Sequence, residues 1–359
     1  MRARAAIALS AISVTFALAT SSPPAAAAGD PCGFTGTASI ESCFSDPTVD
    51  STRIYDSLTA LAATSGAGDT IRIIMFHWRN GAPPEQLATE VVNARQRGAD
   101  VKVVLDEGSE GYRPIEILKA ASVPVLVCHD EAKAADGQDD CLMVEDGFYA
   151  PGSNLPMNHV KLFLFTIGGV RNIVAGSSNM GPWDYQDAWN DMVRIRGDQS
   201  LHSWLTSYFD RVWADDWMGW NTNAERDASG DAATSARDLP ERAWVYPRLK
   251  PGDPIAGQLA NTTACHTDGD SDGDWDKRVW VAISKWSEGA RTEILDNLDR
   301  LDAAGCDVKV VLGDTVTDTQ RRAVRQRLSA DPAESDKVRV ICDLHHKFIV
   351  IDAKYSGSY

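Results

Sequence analysis

The chain has 359 residues, of which 43% are hydrophobic and 24% are charged, and its formal net charge is −16. This composition is ordinary for a soluble globular protein, so disorder is not the default, and the length allows two domains of roughly 100 to 200 residues each or one large duplicated domain. The acidic balance also disfavours a binder of long polyanions, because such binding depends on Lys and Arg neutralising phosphates, but it leaves a small phosphate group open as a ligand.

The N-terminal 28 residues predict a secretory signal peptide. Arg2 and Arg4 precede an apolar run over residues 5–19, and Ala26 and Ala28 supply an A-x-A cleavage signal. A membrane anchor is the alternative, but the run is shorter than the roughly 20 residues that a spanning helix needs. We therefore expect residues 1–28 to be removed and the protein to be secreted into an extracellular compartment.

Next along the chain comes a predicted strand, helix and strand. "IRIIMFHW" from Ile71 is apolar and rich in β-branched residues, "PEQLATEVVNARQRG" ending at Gly98 is amphipathic, and "VKVVL" from Val101 is again apolar. After an insertion, the apolar run "MNHVKLFLF" predicts a further strand with His159 near its start. We assign residues 29–220 to a first half of the fold.

The same pattern returns after a polar linker, which we place at 221–242. "GADVKVVLDEG" at 98–108 matches "GCDVKVVLGDT" at 305–315 with an offset of 207, and "VWVAISKW" from Val279 matches "IRIIMFHW" with an offset of 208. We assign residues 243–359 to the second half. The repeat predicts an α/β fold with two pseudo-twofold related halves, each a mixed β-sheet flanked by helices.

Seven cysteines also favour an oxidising compartment, where disulfides persist: residues 32, 43, 128, 141, 265, 306 and 342. The short loops predict Cys32–Cys43 and Cys128–Cys141 bonds and leave three cysteines for one more. No CxxC spacing is present, so disulfides are favoured over zinc ligands.

Each half carries a His-x-Lys motif at the start of an apolar strand: His159 with Lys161, and His345 with Lys347. Residues i and i+2 of a strand point to the same side, so each pair faces one pocket and His346 faces the other way. A single strand histidine is more often a core residue than a catalyst. Two at equivalent places of a repeat favour function.

Two histidines and two lysines suit phosphodiester transfer. One neutral imidazole can attack phosphorus, the other can protonate the departing oxygen, and the lysines can hold the non-bridging oxygens. This chemistry requires no metal ion or other cofactor.

The chain resembles the phospholipase D superfamily over nearly all of residues 50–359. His345, Lys347 and Asp352 form H-x-K-x4-D, and "GSSN" at 176–179 follows the first His-x-Lys motif. The resemblance implies a catalytic set of His159, His345, Lys161, Lys347 and Asp352, with Ser177 and Asn179 binding the phosphate. It also implies a phosphohistidine intermediate, with His159 as nucleophile and His345 as general acid, although the reverse assignment stays open.

Two departures from the family pattern matter. Thr166 stands where the first motif should have Asp, which either weakens the site or leaves the role to another carboxylate, although solvation at the surface is the simpler interpretation of Asp184, Asp187 and Asp191. The counterpart of Asn179 in the second motif would lie beyond the last residue. We therefore expect the second half to be incomplete and this chain to have low or no hydrolase activity.

A calcium site is a weaker possibility. Asp268, Asp270 and Asp272 begin a D-x-D-x-D-G pattern, but Val279 stands at the twelfth position, where a calcium loop has a bidentate Glu. A solvated acidic loop is the favoured interpretation. His77 and Lys285, at equivalent strand ends of the two halves, are likewise interpreted as ordinary surface residues.

The sequence predicts a secreted phosphodiesterase of the phospholipase D type that hydrolyses or transfers a phospholipid headgroup. Its expected partners are a phospholipid or other phosphodiester and, transiently, a membrane surface; nucleic acid is disfavoured and a monomer is expected. A secreted nuclease of the same superfamily is the enzymatic alternative. A lipid- or protein-binding member with a decayed site is the non-enzymatic one.

Overall fold

The computed structural model describes residues 29–128, 159–214, 254–265, 278–286, 292–328, 337–352 and 354–355. The predicted signal peptide, the linker, the acidic calcium-type loop and Cys141 lie outside these ranges. Within the described ranges, no helix has both the length and the apolar character needed to cross a bilayer.

The first half is built on a sheet of seven strands: β1 (Ile40–Ser45), β2 (Thr70–Met75), β3 (Asp100–Asp106), β4 (Val125–Cys128), β5 (Lys161–Ile167), β6 (Val170–Gly176) and β7 (Asn190–Arg196). Their order is β1-β7-β6-β5-β2-β3-β4. Strands β2, β3 and β4 are parallel, whereas β5, β6, β7 and β1 pair antiparallel with their neighbours. The sheet is therefore mixed, as predicted.

Both faces of this sheet are covered by helices: α1 (Arg53–Ala63), α2 (Ala82–Gln96), α3 (Arg113–Ala120), the short α4 (Pro182–Gln186) and α5 (Gln199–Trp213). Ile71 and Ile73 of β2 belong to one core with residues of α1 and α2, and Ile74 belongs to another core with α5. Because successive strand side chains alternate in direction, this split explains why Ile73, Ile74 and Met75 are apolar in succession.

The second half repeats the central part of the first. Its sheet contains β9 (Arg278–Ile283), β10 (Asp307–Gly313), β11 (Val338–Ile341) and β12 (Lys347–Asp352) in the order β11-β10-β9-β12. The flanking helices are α6 (Pro254–Asn261), α7 (Thr292–Ala303) and α8 (Asp318–Leu328). A further small sheet pairs β8 (Thr262–Ala264) with β13 (Lys354–Tyr355). Strands β9, β10 and β11 are parallel and β12 is antiparallel to β9, as β5 is to β2.

The strand registers of the two halves coincide. Lys161 of β5 lies opposite Met75, the last residue of β2, and Lys347 of β12 lies opposite Ile283, the last residue of β9. The predicted duplication is therefore confirmed down to the pairing of single residues. Each motif lysine begins its strand opposite the last residue of the equivalent parallel strand.

Two disulfides join described cysteines. Cys32–Cys43 is confirmed, and Cys265–Cys306 supplies the further bond that the sequence left unassigned. Cys128 is also disulfide-bonded, but its predicted partner lies outside the described residues. Cys342 is free and exposed.

Candidate active site

The two His-x-Lys motifs come together because the segment before β7 pairs with the segment before β12. The Trp189 amide donates to the Asp343 carbonyl at 3.1 Å, and the His345 amide donates to the Trp189 carbonyl at 3.0 Å. The indole N–H of Trp183 adds a bond of 3.3 Å to the Asp343 carboxylate. These contacts hold the start of the second motif against the first half.

Asn190 fixes the orientation of His345. Its Nδ2 donates to the Asp184 carbonyl at 2.9 Å, which directs Oδ1 toward the Ser177 hydroxyl at 3.1 Å and toward Nδ1 of His345 at 2.8 Å. Because an amide oxygen only accepts, Nδ1 of His345 must carry the hydrogen. The neutral ring therefore has its lone pair on Nε2, available for attack on phosphorus or for accepting a proton.

Both motif histidines are held in the neutral form. Burial and the cations Lys347 and Lys161 lower the pKa of His345 to about 2. His159 keeps a solvent-accessible face, but desolvation of the rest of its ring and the charges of Lys161 and Lys347 lower the pKa of His159 to about 3. Each histidine responds to the lysine of the other motif, so the four side chains form one electrostatic cluster.

The two lysines occupy equivalent positions. Nζ of Lys161 donates to the His159 carbonyl at 3.1 Å, and Nζ of Lys347 donates to the His345 carbonyl at 2.8 Å. Lys161 is buried, and burial together with the charge of Lys347 lowers the pKa of Lys161 to about 7. The two ammonium groups repel each other beside neutral imidazoles, and an anionic phosphate bound between them would reduce that repulsion.

The predicted phosphate-binding residues follow β6. Asn179 is buried, and both its backbone N–H and its Nδ2 donate to Asp184 Oδ1, at 3.0 Å and 3.1 Å. The Ser177 hydroxyl is committed to Asn190 and, as an acceptor, to the Asp191 amide at 2.9 Å. Ser177 therefore supports the site internally, while Asn179 retains a second N–H on its amide nitrogen.

Two carboxylates interpreted as solvated are part of this region instead. Asp184 is buried, lies 3.8 Å from Nδ1 of His345, and has its pKa raised by burial to about 6. Asp191 accepts a bond of 2.8 Å from Nδ1 of His346. The surface interpretation was wrong for both and holds only for Asp187, which is exposed. Their contacts with His345 and His346 follow from long-range packing that the local sequence does not reveal.

Asp352, predicted to be catalytic, lies at the far end of β12. Its carboxylate pairs with Arg278 of β9 at 3.0 Å. Asp352 is five residues from Lys347, a separation of roughly 16 Å along a strand. The structure therefore does not bring Asp352 into the cluster. Thr166, its counterpart in β5, lies opposite Thr70 rather than opposite an arginine.

His346 lies outside the cluster, as strand alternation predicted. Its ring packs edge-on against Phe44 and Phe348, with ring centroids 5.6 Å and 5.3 Å away. With its bond to Asp191, this packing makes His346 a contact between the halves.

Two further residues lie beside the motifs: Tyr55, which sequence reasoning missed, and His77, which it interpreted as a surface residue. The Tyr55 hydroxyl donates to the Asn179 carbonyl at 2.8 Å and accepts from the Gly181 amide at 3.0 Å, so it braces the GSSN turn. The His77 ring stacks on Phe76, and desolvation with the charges of Arg79 and Lys161 lowers the pKa of His77 to about 4. The repeat had marked His77, but nothing local marked Tyr55.

Among the residues that the structure describes, no group of three or more His, Cys, Asp or Glu side chains has a metal-binding arrangement. The calcium-type aspartates at 268, 270 and 272 fall outside those residues, so that possibility stays a prediction.

Residues 61–213 match the family model described as cardiolipin synthase, PLD-like domain. This span contains the first motif and the GSSN turn. No curated protein sequence matches the chain.

Solved structures resemble the fold at low identity. A phosphatidylserine synthase from Haemophilus influenzae Rd KW20 is 10% identical, with a TM-score of 0.52 over 88% of this chain and 76% of that one. Nuc, a phospholipase D family member from Salmonella typhimurium, is 18% identical, with a TM-score of 0.34 over 49% of this chain and 93% of that one. NucT from Helicobacter pylori is 14% identical, with a TM-score of 0.35 over 48% and 96%. The first of these likenesses shows the shared fold.

Proposed function

We propose that this chain, whose residues 61–213 match a PLD-like domain, is a phospholipase D superfamily member and acts as a secreted phosphodiesterase that removes or exchanges the headgroup of a phospholipid. Members of the superfamily are generally phosphodiesterases or phosphotransferases. The observation that carries the proposal is a cluster of four side chains: His159, Lys161, His345 and Lys347. Burial and the charges of both lysines lower the pKa of both histidines, which keeps the two imidazoles neutral.

In the proposed reaction, the Nε2 lone pair of His159 attacks phosphorus and the bond from phosphorus to the headgroup oxygen breaks. His345, protonated as the anionic phosphate enters, gives its Nε2 proton to that leaving oxygen. Asp184, 3.8 Å from the same ring, favours this protonated form. His345 then takes a proton from water or an alcohol, whose oxygen attacks phosphorus and releases His159.

The lysines supply the electrostatic part of catalysis. Lys161 and Lys347 bind the non-bridging oxygens and stabilise the negative charge that grows on them during attack. Each ammonium group donates to the carbonyl of its own motif histidine, and Nζ of Lys161 also lies 3.3 Å from Nε2 of His159, the attacking nitrogen. An ammonium group carries three donors, so both lysines can also donate to an incoming phosphate.

Thr166 does not argue for a decayed site. The motif aspartate of the second half, Asp352, neutralises Arg278 on the exposed end of the sheet, and the first half has Thr70 in place of that arginine. The aspartate and its partner are therefore replaced together, far from the lysines. This favours the enzyme over a binding protein with a lost activity.

The proposal is tested by trapping the covalent intermediate in a single turnover. Phosphatidylcholine with radiolabelled phosphate should label the protein through a bond that is stable in alkali and labile in acid, with release of choline. His159→Ala should abolish the label, and His202→Gln, on α5, should retain it. Labelling by DNA substrates alone would favour the nuclease. Lipid binding without label or choline release would favour the binding protein.

A further inference from the structure

A cavity of about 490 Å³ lies in the second half, between β9, β12 and the helices α6 and α7. Its volume is in the range of small-molecule binding sites, roughly 300 to 1,000 Å³. Aliphatic side chains supply much of its lining: Val281, Ile283, Ile294, Ile349 and Ile351. The cavity is therefore suited to hydrocarbon rather than to a strongly hydrated ligand.

Two cationic side chains line the cavity, and one of them, Lys347, belongs to the second motif. The other is Lys285, and the charges of both act on the imidazole of His159. Lys347 also donates to the His345 carbonyl at 2.8 Å. A ligand that fills the cavity and reaches these lysines would have a hydrocarbon part inside and an anionic group at the two motifs.

We propose that this cavity binds an acyl chain of the lipid whose phosphodiester lies between the two motifs. The inference rests on the proposed function and gives it a substrate class, because it makes chain length a determinant of activity. It also assigns to Lys285, interpreted from the sequence as a surface residue, the role of a cation between the acyl chain and the phosphate.

A nucleobase suits the cavity less well. The polar edge of a base needs hydrogen-bonding partners, and an unpaired polar group costs free energy when buried. Among the described lining residues, the neutral polar side chains are Gln258 and Ser284. An acyl chain has no polar groups to satisfy and gains from burial in proportion to its length.

The test compares phosphodiesters that share a choline headgroup but carry single acyl chains of four, eight and twelve carbons, below their micelle concentrations. Each buried methylene contributes up to about 0.8 kcal/mol, or about fourfold. We expect kcat/KM of the full chain to rise at least about tenfold from four to twelve carbons. A diester without an acyl chain provides the baseline rate.

Matched variants locate the effect. Ile351→Trp fills the cavity, whereas Val350→Trp introduces the same side chain one residue earlier on β12, at an exposed position that does not line the cavity. We expect Ile351→Trp to remove the dependence on chain length while retaining the rate on the acyl-free diester. Val350→Trp should behave as the unchanged protein. Circular dichroism verifies that both variants fold.

Direct binding separates this inference from the proposed function. A fluorescent fatty acid, dansyl-undecanoate, should bind the unchanged protein and bind at least about tenfold more weakly to Ile351→Trp, because the filled cavity no longer buries its methylenes. Binding without turnover of any diester would support the cavity and overturn the proposed function. Diester turnover that is independent of chain length, without binding of the fatty acid, would overturn the acyl site and leave the proposed function standing.

Discussion

Asn190 Oδ1 accepts a hydrogen bond of 2.8 Å from Nδ1 of His345, so the first half of the chain sets the tautomer of the second motif. The buried amide of Asn190 has no freedom to turn over, because its nitrogen is bonded to the Asp184 carbonyl. A neutral acceptor orients the ring without stabilising its charged form, which is consistent with a low pKa for His345.

Asn190→Asp should therefore raise the pKa of His345. A carboxylate in contact with an imidazole favours the protonated ring, typically by about 1 to 3 pKa units. The measurement is an NMR pH titration of the histidine resonances. Asn93→Asp, on α2, is the control and should leave His345 unchanged. An unmoved pKa in Asn190→Asp would contradict the observed contact.

Lys161→Met should raise the pKa of both His159 and His345, because the charge of Lys161 contributes to lowering each of them. The same titration measures both shifts in one variant. Lys119→Met removes an equal charge from the exposed side of α3 and should move neither. If only His159 responded, the motifs would not form one electrostatic cluster.

Asp184→Ala should destabilise the fold, because it leaves the backbone N–H and the side-chain amide of Asn179 without their buried acceptor. A buried donor that loses its hydrogen-bond acceptor lowers the free energy of unfolding by about 1 to 3 kcal/mol. Urea denaturation measures the loss. Asp187→Ala, in the same segment but exposed, should change stability by no more than about 0.5 kcal/mol. Equal losses in the two variants would refute the assigned role.

Asp352→Asn should retain the activity of the parent chain, although Asp352 is part of the sequence motif. The change removes an exposed pair with Arg278 and should cost no more than about 1 kcal/mol of stability. Single-turnover labelling at the parent rate would verify this. A loss comparable with that of His159→Ala would restore Asp352 to the catalytic set.

The sequence predicted the duplication and the two His-Lys pairs because strand periodicity and repeat spacing are local signals. The same periodicity argues against Asp352, since an odd spacing of five residues from Lys347 places the two side chains on opposite faces. Asn190 and Asp184 could not be found this way. Their roles depend on contact with His345, about 155 residues away in the sequence, and that contact is set by packing between the halves.

Buried His202 should make the protein less stable in mild acid. Burial and the charge of Arg171 lower the pKa of His202 to about 4, so below its ordinary value of 6.5 the unfolded chain binds a proton that the folded chain does not. Stability therefore falls as the pH drops from about 6.5 toward 4, by up to about 1.4 kcal/mol per pH unit from this group. His202→Gln should reduce that slope and have no pH-dependent effect above pH 7. Urea denaturation at pH 7.5, 6.0 and 5.0 measures both slopes, and parallel profiles for the two proteins would contradict the prediction.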